Sequence, residues 1–202
     1  MNSGQKTSVL VFGTLLVSVA CGSHGSGGSD SPKATLQPEY NSKTGKLVLL
    51  RYDTNGDGHV DVWSYMDGAR IVRIEIDKNE DGKIERWEHY APPGNTLIKI
   101  GFSRKDDGIE DAWTYPGPDG TVARIEISTL RNGTVNRTEY YEKNVMIRAE
   151  EDTDGDGKLD KWEHFENGRL ASVDLDTTHT GTPNRRIVHL PDGSSRLEHL
   201  SR

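Results

Sequence analysis

The chain has 202 residues, 32% of them hydrophobic and 28% charged, with a formal net charge of −7 and 22 glycines. That length suits one domain or one repeat array plus appendages, and the low apolar fraction argues against a deep single core and for a thin, turn-rich fold. The acidic balance excludes nucleic acid as a favoured partner, since phosphate binding draws on clustered Lys and Arg, and it suits cations instead. A single cysteine, Cys21, excludes an intramolecular disulfide.

Residues 9–20 form an uncharged, mostly apolar run behind a short segment carrying Lys6. The run is too short for a spanning helix, which needs about 20 apolar residues. It has the length of a signal-peptide core and ends in small residues just before Cys21 and a Gly/Ser-rich stretch. Val17-Ser18-Val19-Ala20-Cys21 resembles a bacterial lipobox, although Ser18 stands where that motif usually has leucine. The resemblance implies that residues 1–20 are a removed signal peptide. Cys21 would then be the lipidated mature N-terminus, residues 21–38 a flexible tether, and the membrane a partner through the acyl chains. The other reading is an ordinary signal peptide cut nearby, with Cys21 free or lost.

Residues 39–202 read as a tandem repeat domain. Units start near Asp53, Asp77, Ser103, Ser128, Asp152 and Asp176, so the period is about 24 residues. Five residues after each start stands a glycine: Gly58, Gly82, Gly108, Gly133, Gly157 and Gly181. Ten residues after the start come Trp63, Trp87, Trp113 and Trp162, with Thr138 and Arg186 in the fourth and sixth units. Every tryptophan therefore occupies one repeat position. The second half of each unit alternates apolar and polar residues, as in Val72, Ile74 and Ile76 against Arg73 and Glu75. Period two means strands half-buried on one face. Asp67-Gly68, Asp119-Gly120, Asn167-Gly168 and Asp192-Gly193 are hairpin turn signals. The expected fold is all-β: a repetitive antiparallel hairpin meander with acidic loops along one edge.

Three of those loops carry dense oxygen donors. They contain Asp53, Asn55, Asp57 and Asp61; Asp77, Asn79, Asp81 and Glu85; and Asp152, Asp154, Asp156 and Asp160. In a curled loop the side chains at positions 1, 3 and 5 converge. Glycine at 6 allows the reversal, the carbonyl at 7 (here His59, Lys83 and Lys158) adds an oxygen, and position 9 contributes directly or through water. Many hard oxygens in a flexible ring suit Ca²⁺ better than Mg²⁺. Position 12 is acidic in two loops, Glu88 and Glu163. A following strand would carry these about 10 Å from position 9, so they are the weaker ligand candidates. The other loops have lost donors, and Lys105 is placed to put an ammonium where the third loop's cation would sit.

The loops resemble the calcium loops of EF-hand, dockerin and thrombospondin type 3 repeats. Over about nine residues in three units they share the D-x-[D/N]-x-D-G pattern, without the dockerin helix or the thrombospondin disulfides. Trp-Glu-His-Tyr and Glu-Asn-Gly-Arg-Leu resemble the hairpins of MORN-type repeats. Together these features resemble calcium-loop repeat lipoproteins of bacterial envelopes. The function this implies is a Ca²⁺-stabilised structural or interaction module at the cell envelope, in the outer membrane if the cell has one. An envelope protein or glycan would be its partner, and no enzymatic activity is expected. An accessory or hydrolytic domain of an exported carbohydrate- or peptide-processing system is the alternative. His89 and His164 share a repeat position but lie three units apart, which suits a strand surface better than a zinc site.

Overall fold

A computed structural model of the chain describes residues 34–92 and 96–200. The expected signal peptide, Cys21 and most of the expected tether lie outside the described residues. Among the described residues there is no helix. The chain forms β1 (Thr35–Tyr40), β2 (Leu47–Asp53), β3 (Val62–Asp67), β4 (Arg70–Ile76), β5 (Arg86–Ala91), β6 (Thr96–Phe102) and β7 (Ala112–Pro116). It continues with β8 (Val122–Ile127), β9 (Arg137–Glu142), β10 (Val145–Glu151), β11 (Lys161–Glu166), β12 (Arg169–Leu175), β13 (Arg185–His189) and β14 (Ser195–His199). β1 takes in Thr35–Pro38, residues expected in the tether.

All fourteen strands lie in one antiparallel sheet in chain order, an open meander as the alternating sequence predicts. Up-and-down order sends every second connection to the same side. Tight hairpins therefore line one edge, and the six glycine loops, here loops 1 to 6, line the other. In the β11–β12 hairpin, Asn167 and Gly168 both take positive φ, the pairing a type I′ turn demands. Lys143 and Asn144 do the same between β9 and β10 without glycine.

Register fixes the faces. One cross-strand row runs Arg51, Trp63, Glu75, Trp87, Gly101, Trp113, Glu126, Thr138, Glu150, Trp162, Asp174, Arg186, Glu198. All four tryptophans thus stand on one face, mostly separated by acids. The opposite face carries Ile74, Ile100, Ile125, Ala149 and Val173, among which Ile100 and Ala149 are deeply buried. Gly101 takes the place between Trp87 and Trp113 that Glu75 takes between Trp63 and Trp87, for a steric reason. A β-carbon there would collide with Glu110, whose Oε1 accepts hydrogen bonds from Trp113 Nε1 (2.8 Å) and is 2.6 Å from His89 Nε2.

The expected strict alternation fails at one point in each of six hairpins. Val48, Val72, Ile98, Ala123, Ile147 and Ala171 are each skipped by the pairing, so two residues oppose one. A bulge takes its residue out of the pleat, and Val72 and Ile98 are accordingly 41% and 45% exposed. The apolar triplets of the sequence are therefore core pairs preceded by a bulge residue.

Candidate metal centre

The most continuous buried row is polar and lies at the loop edge. Asp53, Asp61, Asp77, Asp111, Ser128, Asn136, Asp152, Asp160 and Asp176 are all buried, and they occupy positions 1 and 9 of the loops. The backbone explains why. The position-1 amide of each loop donates to the position-9 carbonyl of the loop before, as in Asp77 N to Asp61 O (2.9 Å), Asp152 N to Asn136 O (2.8 Å) and Asp176 N to Asp160 O (2.8 Å). This ladder stitches the loops into a continuous edge.

Inside each loop, side-chain oxygens cap backbone amides. Gly58, Gly82, Gly157 and Gly181 donate to the Oδ2 of Asp53, Asp77, Asp152 and Asp176. The asparagine or aspartate at position 3 takes the position-5 amide, and the position-5 aspartate takes the position-7 amide, in loops 1, 2 and 5. Position 9 accepts the position-2 amide in all six loops, through Asp61, Glu85, Asp111, Asn136, Asp160 and Asn184. A position filled alike in acid-rich and acid-poor loops serves the turn first. The sequence pattern suggests position 9 as a ligand only, and the recurring Asp, Glu or Asn in that column is the signal for its role in the turn.

What separates loops 1, 2 and 5 is therefore the surplus of donors at positions 3 and 5. In loop 5 the ligand atoms of Asp152, Asp154 and Asp160 lie within 4.8 Å of one another, as do those of Asp154, Asp156 and His179. These acidic clusters could hold a metal ion. Loops 1 and 2 have the amides Asn55 and Asn79 at position 3. The carbonyls of His59, Lys83 and Lys158 sit at position 7 of the turns. The Lys83 ammonium rests 3.0 Å from Asp81 Oδ2 and lowers that carboxyl's pKa.

Electrostatics mark the same places. The His59 amide holds the Asp57 carboxyl below its usual range, and Glu80 beside it is pushed up, chiefly by its hydrogen bond with Asp57. Two acids pressed together this way are relieved by a cation. At Asp152 burial works upward, but the amides of Gly157 and Gly155 outweigh it and keep the carboxyl low.

Glu88 and Glu163 are held on their strands and do not join the loops. Glu88 takes Arg86 (2.8 Å) and the Tyr90 hydroxyl (2.6 Å), while Glu163 takes Arg137 and Lys161, each at 2.7 Å. The third loop does contain a cation, but Lys105 does not supply it. Arg131 of the fourth unit reaches back, its guanidinium on Asp107 and 2.8 Å from the buried Asp111, which Arg104 of the loop itself also meets at 3.3 Å. Guanidinium forks match carboxylates better than a short-range ammonium on the same loop can.

No family model matches the chain, and no curated protein matches it. Among solved structures, a GtfA/B complex bound to UDP and GlcNAc is similar over 63% of this chain and 22% of that one, at 12% identity and a TM-score of 0.26. This chain thus spans under a quarter of that protein, and likeness at this level carries no functional argument.

Proposed function

We propose that the protein is a calcium-binding, calcium-stabilised structural or interaction module, displayed at the bacterial cell envelope by a lipid on Cys21. The observation that carries the calcium reading is the gathering of Asp152, Asp154 and Asp160 within 4.8 Å on a sheet edge where two further loops repeat the same turn. Carboxylates so close repel unless a cation neutralises them, and the all-oxygen donor set of that triad favours a hard ion. With no helix pair among the described residues to open, an ion here would hold neighbouring hairpins together and would not switch them. Affinities of about 10⁻⁵ to 10⁻³ M would keep such sites loaded outside the cell.

Calorimetric titration of the full chain with Ca²⁺ tests the reading. Two or three sites are expected, and Asp156→Ala should remove one of them; absence of heat at millimolar Ca²⁺ would reject it. The anchor has a separate test. Mass spectrometry of the mature N-terminus should find acylated Cys21, and an unmodified soluble product would refute lipidation.

A further inference from the structure

The fourth position of each loop holds a residue that the calcium-loop pattern leaves unassigned. It is Gly56, Glu80, Asp106, Arg131, Gly155 and His179 in turn, and all six take positive φ, between 55° and 79°. Where the position carries a side chain, that side chain meets the preceding loop. Glu80 Oε1 accepts from Asn55 Nδ2 of loop 1, and Asp106 Oδ2 accepts from Asn79 Nδ2 of loop 2 at 2.8 Å. Arg131 reaches Asp107 and Asp111 of loop 3, and His179 Nδ1 lies 2.8 Å from Asp154 Oδ2 of loop 5. Glycine fills the position in only two units. Gly56 has no loop before it, and Gly155 follows loop 4, whose donors Ser128, Asn132 and Asn136 carry no charge. A side chain is present wherever the loop before it is acidic.

Two further observations point to a positive charge in these loops. In loop 2, Asp77 is 3% exposed, and its Oδ1 is buried without a hydrogen-bond partner, although Oδ2 is held by Gly82. A buried carboxylate oxygen left unpaired is costly unless something neutralises it. In loop 3 a positive group does occupy the place between positions 5 and 9, the Arg131 guanidinium supplied by the next unit's fourth position.

We propose that the fourth-position side chain of each unit is a ligand to the metal ion of the preceding loop: Glu80 for loop 1, Asp106 for loop 2 and His179 for loop 5, with Arg131 replacing the ion in loop 3. Each ion then bridges two repeats, and Lys83 moves off Asp81 when loop 2 fills. The imidazole gives loop 5 a mixed nitrogen–oxygen set, more tolerant of transition metals than the other two. This inference rests on the proposal that the loops bind divalent cations.

The test follows the amide resonances of Gly58, Gly82 and Gly157 in the full chain during titration with Ca²⁺ alone, since each glycine reports its own loop. Glu80→Gln keeps an oxygen acceptor for Asn55 but removes the charge. It should raise the Ca²⁺ midpoint at Gly58 about tenfold, as loss of one ligand charge does, and leave Gly82 and Gly157 unmoved. Asp106→Asn should move Gly82 alone, and His179→Asn should move Gly157 alone. Unchanged midpoints in these variants, or equal shifts at all three glycines, would overturn the cross-repeat ligands while leaving loop binding intact. No response at any glycine in the unsubstituted chain would instead reject metal binding itself.

Discussion

Arg137 shows how much of this protein's order rests on single charged side chains. Its guanidinium is 15% exposed and meets Glu139, Glu151 and Glu163 at 2.7 to 2.9 Å. Arg137→Ala would leave three half-buried acids facing one another with Lys161 as their only remaining cation. The expected loss is about 2–3 kcal/mol in denaturant unfolding, below the value for a fully buried pair because water still reaches the cluster. The pH dependence has a definite sign. Burial pushes Glu163 up, but hydrogen bonds from Lys161 and Arg137 outweigh it and leave the carboxyl depressed. A depressed acid contributes stability above its unfolded value near about 4.3 and loses that contribution as pH falls through the folded value. The melting temperature should therefore hold above about pH 5 and fall below about pH 4, and the fall should be shallower in Arg137→Ala. Gly101 is a second sensitive point. Gly101→Ala displaces Glu110 from Trp113 and His89, at an expected cost of about 1–3 kcal/mol.

At the scale of hairpins and loops, the glycine at position 6 is a conformational requirement before it is a feature of any metal site. Gly133 in the donor-poor loop 4 has φ +83° and Gly157 in loop 5 has φ +90°. Replacing either by alanine should cost about 1–2 kcal/mol in EDTA, with the two variants alike, because the penalty belongs to the left-handed backbone. Unequal losses under those conditions would tie the glycine to something beyond the turn. The hairpins were legible because period-two alternation and turn residues such as Asn167-Gly168 are local signals, and pairing neighbours in chain order adds no long-range choice. The bulges at Val72 and Ile98 were not legible. Strand pairing decides which residue is skipped, and both residues keep the apolar character of their neighbours. The turn role of position 9 is hidden in the sequence for a related reason: aspartate is as good a cap for the position-2 amide as it is a metal donor. Lys105 was a plausible cation within its own loop. The reach of Arg131 across a repeat boundary depends on adjacent loops lying side by side, which no single unit encodes.

At the scale of the whole molecule, contacts between elements of the described residues run only between consecutive strands of one open sheet. Stability in such an array is nearly a sum of local terms and neighbour interfaces. Its apolar core is thin: among the described residues only Trp87, Ile100, Ala112, Ala149 and Val173 are buried hydrophobics, against a longer row of buried polar groups. A fold of this kind gains more from ions along its loop edge than a deep-cored domain would, and that is the physical basis of the calcium proposal. Each site filled at a hundredfold excess over its Kd adds about 2.7 kcal/mol, since ion binds the folded loop and not the unfolded chain. Thermal unfolding of the full chain in EDTA and in about 10 mM Ca²⁺ measures this directly. Filled sites should raise the melting temperature by on the order of 15 °C, with Mg²⁺ giving much less. Identical melting curves in EDTA and Ca²⁺ would contradict the account.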